Sequence, residues 1–133
     1  MKRRRGAVTA IAVGVVVAAV SVQGQQGAPR GEWRVWGGDG GTSRYAPLDQ
    51  ITRDNVAKLS PAWVLQMGVQ GQVAGSPIIA DRTLFYTAAH NNLYAMDAVT
   101  GELKWHYEHS LPSDLRLCCG PANRGVAIAG DRV

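Results

Sequence analysis

The stretch that decides the fold is "GSPIIADRTLFYTAAHNNLYAMDAVTGELKWHYEH", residues 75–109. It holds four short runs typical of strands, "PIIA", "TLFYTA", "NLYAMDA" and "ELKWHYE", separated by "DR", "HNN" and "VTG". Runs of this length between tight turns predict four antiparallel strands joined as a meander. In the last turn Gly101 stands where a left-handed backbone is convenient, and Trp105 falls on the strand that follows.

A second copy of this pattern begins near the end of the sequence. "NRGVAIAGDRV", residues 123–133, repeats the small residue, apolar run and Asp-Arg pair of "GSPIIADRTLF", residues 75–85. A period of about 50 residues with about four strands per copy is typical of a β-propeller blade. One blade cannot bury its own faces. We therefore predict an all-β propeller of which this chain is the N-terminal fragment, and we expect the fragment alone to be inactive and to lack a stable fold.

The segment before the four runs is less regular. "GGDGGTS" predicts a loop, since four of its seven residues are glycine. "ITRDNVAKL", residues 51–59, predicts a short helix capped by Thr52, with Val56 and Leu59 on its apolar face. "PAWVLQMG", residues 61–68, predicts a strand.

The N-terminus is typical of an exported protein. Lys2 and three arginines precede the uncharged apolar run 6–22, and small or polar residues follow, so we expect a signal peptide over residues 1–24. Residues 25–32 then form a flexible leader, and residues 33–133 the propeller part. The alternative is an uncleaved membrane anchor, but the run is short for a spanning helix. We favour cleavage, periplasmic localisation and no stable membrane insertion afterwards.

The net charge of +4 resides in that basic head. The other ten Lys and Arg balance the ten Asp and Glu, so no basic stripe remains and a nucleic-acid partner is not expected. Nor are His90, His106 and His109 spaced as a metal set, and they are interpreted as loop or strand-face residues. "GGDGG" lacks the strand-to-helix context and the lysine of a phosphate loop.

Three stretches resemble a known family. "YAMDAVTGELKW", residues 94–105, resembles the tryptophan-docking motif of the eight-bladed quinoprotein propellers. "LRLCCGPANRG", residues 115–125, resembles the Cys-Cys-x-x-x-Asn-Arg-Gly segment of the pyrroloquinoline quinone (PQQ)-dependent alcohol dehydrogenases. "GGTSRYAPLDQITRDNVAKLSPAW" resembles the leader of these enzymes and of the related membrane glucose dehydrogenases. The docking residues that match are Ala95, Asp97, Thr100, Gly101 and Trp105.

The resemblance implies roles for the matched residues. Trp105 would pack between neighbouring blades, although a buried strand aromatic would look much the same. Cys118 and Cys119 would form a disulfide between neighbours, a strained ring that covers one face of PQQ. Two reduced thiols, or two bridges to cysteines elsewhere, are the alternatives.

Arg124 would hydrogen-bond the cofactor, whose three carboxylates suit a guanidinium fork, whereas a surface position or an internal salt bridge is the alternative. Asn123 and Gly125 would shape the turn. Ala74 stands where relatives usually carry a cofactor-binding Glu, with Gln72 the nearest polar substitute.

The implied function is oxidation of alcohols to aldehydes with PQQ and a Ca²⁺ or lanthanide ion, with electrons passed to a cytochrome c or a quinone. The metal ligands and the catalytic base are expected beyond residue 133, so no catalytic residue is assigned here. A PQQ-dependent glucose or polyol dehydrogenase and a non-enzymatic propeller scaffold are the alternatives.

Overall fold

The computed structural model describes Ala28 and residues 31–133, so the predicted signal peptide and most of the predicted leader lie outside the described residues. The described part forms one four-stranded antiparallel sheet in the order β1-β2-β3-β4. The predicted meander is confirmed, with strands β1 (Ile78–Ala80), β2 (Thr83–Ala88), β3 (Asn92–Asp97) and β4 (Leu103–Tyr107). In the same residues the only helical pieces are short 3₁₀ turns, and no helix is long and apolar enough to cross a membrane.

The turn between β1 and β2 explains the Asp-Arg pair in the sequence. Ala80 pairs with Thr83, which leaves a two-residue loop. Asp81 and Arg82 both have a positive φ, 48° and 60°. Two left-handed residues in a two-residue hairpin form the type I′ geometry, whose twist matches that of the flanking strands.

Side chains on the two faces of the sheet form two apolar clusters. One face buries Ala80, Phe85 and Ala95, against which Val126 and Ile128 from the end of the chain pack. The other face carries the second cluster, whose buried members are Ala88, Tyr94 and Met96. A blade buried on both faces is what a propeller requires.

Residues 61–68, predicted as a strand, are not one. The segment runs extended, but it pairs with no strand in the described part of the chain. Its alternation is real, because Trp63, Leu65 and Met67 pack on the second cluster while Val64 is 81% exposed. The alternation of buried and exposed residues therefore arises because one side of an extended, unpaired chain packs on a sheet face.

The helix predicted over residues 51–59 is also wrong. It is reduced to a single 3₁₀ turn, Val56–Lys58. The residue that precedes this turn is Asn55 rather than Thr52, and the Thr52 carbonyl accepts the Val56 N–H at 2.9 Å. Val56 and Leu59 are 50% and 60% exposed, so no buried face stabilises a longer helix.

The second copy does not complete a strand within the described residues. Residues 123–133 contain one isolated bridge, between Ala129 and Arg132. Gly130 has a φ of 62° at the turn that this bridge closes. The predicted loop at residues 37–43 is confirmed as turns and bends.

Candidate cofactor-binding segment

The turn between β3 and β4 is built by the predicted docking residues. The Asp97 carboxylate accepts the backbone N–H of Val99 at 2.9 Å and that of Thr100 at 3.0 Å. These donors, Thr100 first, hold the pKa of Asp97 below its usual value. The Thr100 hydroxyl accepts the Glu102 N–H at 3.2 Å, and the Gly101 N–H donates to the Asp97 carbonyl at 2.9 Å. The sequence motif is therefore the hydrogen-bond pattern of one tight turn.

Gly101 is required in this turn for two separate reasons. Its φ is +74°, a region that side chains rarely adopt. In addition, a Cβ at this position would lie 2.5 Å from the ring of Trp63. The sequence assigned Trp63 only to a predicted strand over residues 61–68, so this contact across 38 positions was missed.

Ala95 and Trp105 belong to one row across the sheet. Ala95 pairs with Phe85 on one side and with Trp105 on the other. The rings of Phe85 and Trp105 meet above it, with centroids 5.9 Å apart. Ala95 is fully buried, so its small side chain leaves room for that contact. Trp105 itself stays 42% exposed.

The two cysteines lie side by side on the surface. Both are exposed, and their Sγ atoms are 2.9 Å apart. This separation is a thiol contact, since a disulfide bond is about 2.05 Å long. The contact with Cys118 is the main reason that the pKa of the Cys119 thiol is raised. The disulfide between them stays a prediction.

The backbone around Arg124 is tied to the sheet at two loops. The Pro121 carbonyl accepts the His90 N–H at 2.9 Å, and the Arg124 carbonyl accepts the Ser76 N–H at 3.4 Å. The Arg124 backbone is therefore tied to Ser76, which lies two positions after Ala74 in the sequence.

A side-chain hydrogen bond adds a third tie. The Asn123 amide donates to the Asn91 Oδ1 at 3.0 Å, and the Asn123 Oδ1 accepts the Gly125 N–H at 3.0 Å. Asn123 therefore does shape the turn, as predicted, but it does so together with Asn91. Asn91 had no role in the sequence prediction, although an Asn-Asn pair in a turn segment signals left-handed backbone.

Arg124 is exposed, and no carboxylate among the described residues pairs with its guanidinium. Ala74 and Gln72 are also exposed and carry no charge. An unpaired guanidinium and two accessible sulfurs on one segment fit a ligand that is both anionic and planar, as PQQ is. The predicted residues therefore suit the group that the resemblance implied.

A cleft of about 540 Å³ adjoins the segment, lined by His90, Pro121 and residues of the loop 111–117. A second cleft, of about 580 Å³, lies at Trp33 and Trp36, away from the cysteines. Within residues 31–133 no three His, Cys, Asp or Glu side chains are close enough to share a metal ion. His90 lies in the β2–β3 turn, and His106 lies on β4.

Comparison with known proteins identifies the architecture. The family profile described as "PQQ: Glucose/ethanol/alcohol dehydrogenase, beta-propeller domain" matches residues 33–133. The chain belongs to this PQQ dehydrogenase family. The predicted all-β propeller class and the predicted family resemblance are both confirmed, and the described residues form part of one blade of such a PQQ dehydrogenase.

Named relatives fall on the alcohol-oxidising side of the family. A quinoprotein ethanol dehydrogenase of Pseudomonas aeruginosa is 45% identical over 92 residues, which are 68% of this chain and 15% of that protein. A 1-butanol dehydrogenase (quinone) of Thauera butanivorans is 42% identical over 93 residues, again 68% of this chain and 15% of that protein. The chain thus spans about 15% of the length of these relatives.

A solved structure supports the fold directly. The quinohemoprotein alcohol dehydrogenase from Comamonas testosteroni superimposes with a TM-score of 0.67 at 31% identity. The match covers 78% of this chain and 16% of that one.

Proposed function

We propose that residues 33–133 are the first part of the propeller of an exported quinoprotein alcohol dehydrogenase, and that residues 116–125 form one wall of its PQQ site. PQQ, when bound, accepts the hydride of the alcohol. The contribution of this chain is to hold the cofactor. The observation that carries the proposal is the unpaired Arg124 guanidinium on the same sheet-anchored segment as the exposed Cys118–Cys119 pair.

The cysteine pair would act as a flat support for the cofactor. We propose that, after export, a disulfide oxidant takes two protons and two electrons from the Cys118 and Cys119 thiols, which leaves an S–S bond between them and reduces the oxidant to two thiols. The 2.9 Å contact between the sulfurs supports this step, since little movement is needed to bring them to bonding distance. Exposure of both residues gives the oxidant access.

Arg124 would fix the orientation of the cofactor by donating to its carboxylates or quinone oxygens. A guanidinium with no carboxylate partner of its own is available for such an acceptor. Ala74 supplies no hydrogen bond at the position where relatives usually carry Glu, so a larger share of the affinity rests on Arg124. We place the Ca²⁺ or lanthanide ion, the base and the docking surface for a cytochrome c or quinone acceptor on residues outside this chain.

Titration of PQQ into the complete enzyme tests this assignment. With PQQ absorbance or fluorescence as the readout, we expect Arg124→Ala to weaken binding by about 10- to 100-fold, since a charged hydrogen bond contributes about 1.5–3 kcal/mol. Arg124→Lys should recover only part of this loss, because it keeps the charge without the fork. Arg53→Ala is the charge-matched control, at an exposed position near the 3₁₀ turn.

The outcome also separates the alternative functions. Wild-type protein that does not bind PQQ at all would make the scaffold the better interpretation. Binding with turnover of glucose but not of primary alcohols would favour the glucose or polyol branch. Unchanged affinity in Arg124→Ala would remove Arg124 from the site.

Two further measurements test the export part of the proposal. Mass spectrometry of protein from the periplasmic fraction should show a chain that begins at Gln25 and carries one S–S bond within the peptide containing residues 118–119. A mature chain that retains residues 1–24, or a pair that reacts fully with iodoacetamide without reduction, contradicts it.

A further inference from the structure

The geometry points to Asn91 as a positioning residue that fixes Arg124 for cofactor binding through Asn123. This inference rests on the proposed function for the role of Arg124, but the contacts that support it belong to the protein alone. Asn91 lies 32 positions from Asn123 in the sequence, in the turn between β2 and β3.

The backbone of that turn is strained. His90 and Asn91 follow one another in the left-handed region, with φ values of 60° and 57°. A left-handed conformation is unfavourable for a residue with a side chain, and glycine would adopt it freely. Asn is among the residues that tolerate it best. The turn therefore accommodates Asn91 together with its side-chain amide.

The amide of Asn91 is used on the cofactor-binding segment. Its Oδ1 accepts the Asn123 Nδ2–H at 3.0 Å, and Asn123 in turn accepts the Gly125 N–H at 3.0 Å. These two bonds reach the residues immediately before and after Arg124. Together with the Ser76 bond to the Arg124 carbonyl, they hold the Arg124 backbone while its guanidinium stays exposed.

The turn that carries Asn91 is held in place by the contacts of its neighbour Asn92. Asn92, the next residue, is 1% exposed and donates through Nδ2 to the Ala89 carbonyl at 2.8 Å, which closes the turn. Its Oδ1 lies 2.7 Å from the His106 Nε2 on β4. The His106 ring stacks on Tyr94 with centroids 4.3 Å apart. A position fixed by packing and by a second set of hydrogen bonds is what precise placement of a binding group needs.

The test compares Asn91→Gly with Asn91→Asp in the complete enzyme. Gly keeps the left-handed turn and removes the acceptor, whereas Asp keeps an acceptor oxygen at the same place. We expect Asn91→Gly to weaken PQQ binding by about 3- to 10-fold, the effect of one neutral hydrogen bond. Asn91→Asp should recover part of the lost affinity, because it keeps the hydrogen bond but adds a negative charge near an anionic ligand. Asn55→Gly, which removes an Asn amide from the remote 3₁₀ turn, is the matched control.

A purely structural role would give different results. We expect the thermal unfolding midpoint of Asn91→Gly to stay close to that of the wild type, because relief of strain offsets the lost bond. The alcohol KM at saturating PQQ should not change. In the double variant Asn91→Gly, Asn123→Ala, the affinity loss should equal that of Asn123→Ala alone, since the first acts through the second.

Hydrogen exchange separates failure of this inference from failure of the proposed function. In the cofactor-free protein, Asn91→Gly should speed exchange of the Gly125 amide and Asn91→Asp should not. Suppose that Asn91→Gly speeds exchange of the Gly125 amide but the wild type does not bind PQQ. The hydrogen bonds through Asn91 and Asn123 would then stand, and the proposed function would be overturned. PQQ binding by the wild type with equal affinity in Asn91→Gly would overturn the inference.

Discussion

Replacement of Gly101 by Ala tests why the docking turn has its sequence. The new Cβ would lie 2.5 Å from Trp63 Cδ2 and 2.8 Å from Trp63 Cε3, well inside van der Waals contact. Displacing a packed ring costs about 1–3 kcal/mol, and the φ of +74° adds about 1–2 kcal/mol for a residue with a side chain. We therefore expect a total loss of about 2–5 kcal/mol in the free energy of opening the β3–β4 turn.

The assay is native-state hydrogen exchange of the amides that close this turn, in the complete enzyme. The Gly101 N–H bonds to the Asp97 carbonyl at 2.9 Å, and the Asp97 N–H bonds to the Glu102 carbonyl at 2.8 Å. A loss of about 3 kcal/mol speeds exchange through opening by on the order of 10²-fold. Amides of the β1–β2 hairpin serve as the internal control.

Removing the ring separates the two causes. In a Trp63→Ala background, the same Gly101→Ala change should cost only the backbone part, about 1–2 kcal/mol. The difference between the two costs of Gly101→Ala measures the steric clash between the new Cβ and the Trp63 ring. Equal costs in both would show that Trp63 plays no part, and a cost near zero in either would refute the argument from backbone conformation.

Two further predictions concern single polar groups. The folded turn lowers the pKa of Asp97, so its stabilisation should be full above the unfolded value of about 3.9 and be lost as pH falls through the lower folded value. Asp97→Asn should keep the turn but flatten this pH dependence in acid unfolding curves. Asp97→Ala should lower the free energy of unfolding at every pH. An Asp97→Asn variant whose stability falls with pH as steeply as that of the wild type contradicts this. Thr87 is 2% exposed, and its hydroxyl has no hydrogen-bond partner among the described residues. Thr87→Val should raise the free energy of unfolding by about 1 kcal/mol while Thr87→Ser lowers it, and a loss in Thr87→Val would reveal a partner.

The strands were predictable because their signals are local. Alternating residues and turn pairs such as Asp81-Arg82 act within ten positions, and β2 was predicted with its observed bounds. The segment 61–68 failed because alternation reports contact with a face, and both a paired strand and an unpaired extended chain make that contact. The helix over 51–59 failed because its apolar residues have no surface to cover. Pattern alone does not distinguish these cases.

The candidate site was predictable only where the motif carries it. Cys118, Cys119 and Arg124 were found from one continuous segment, whereas Asn91 acts across 32 positions and Trp63 across 38. Such contacts depend on how the turns meet in space. The one local sign available for Asn91 was an Asn-Asn pair in a turn segment, of which Asn91 is the residue with left-handed backbone.

In the cofactor-binding segment, the groups that anchor it to the sheet differ from the side chains that it exposes. The groups that hold it are the Pro121 and Arg124 carbonyls and the Asn123 amide, whereas the Cys118 and Cys119 side chains and the Arg124 guanidinium point outward. Backbone carbonyls provide the same hydrogen bond whatever side chain accompanies them. Exposed side chains can therefore change without loosening the segment, so their substitution should alter cofactor affinity and leave folding intact. The amide of Asn123 is the exception, since it is the single anchor that a substitution removes.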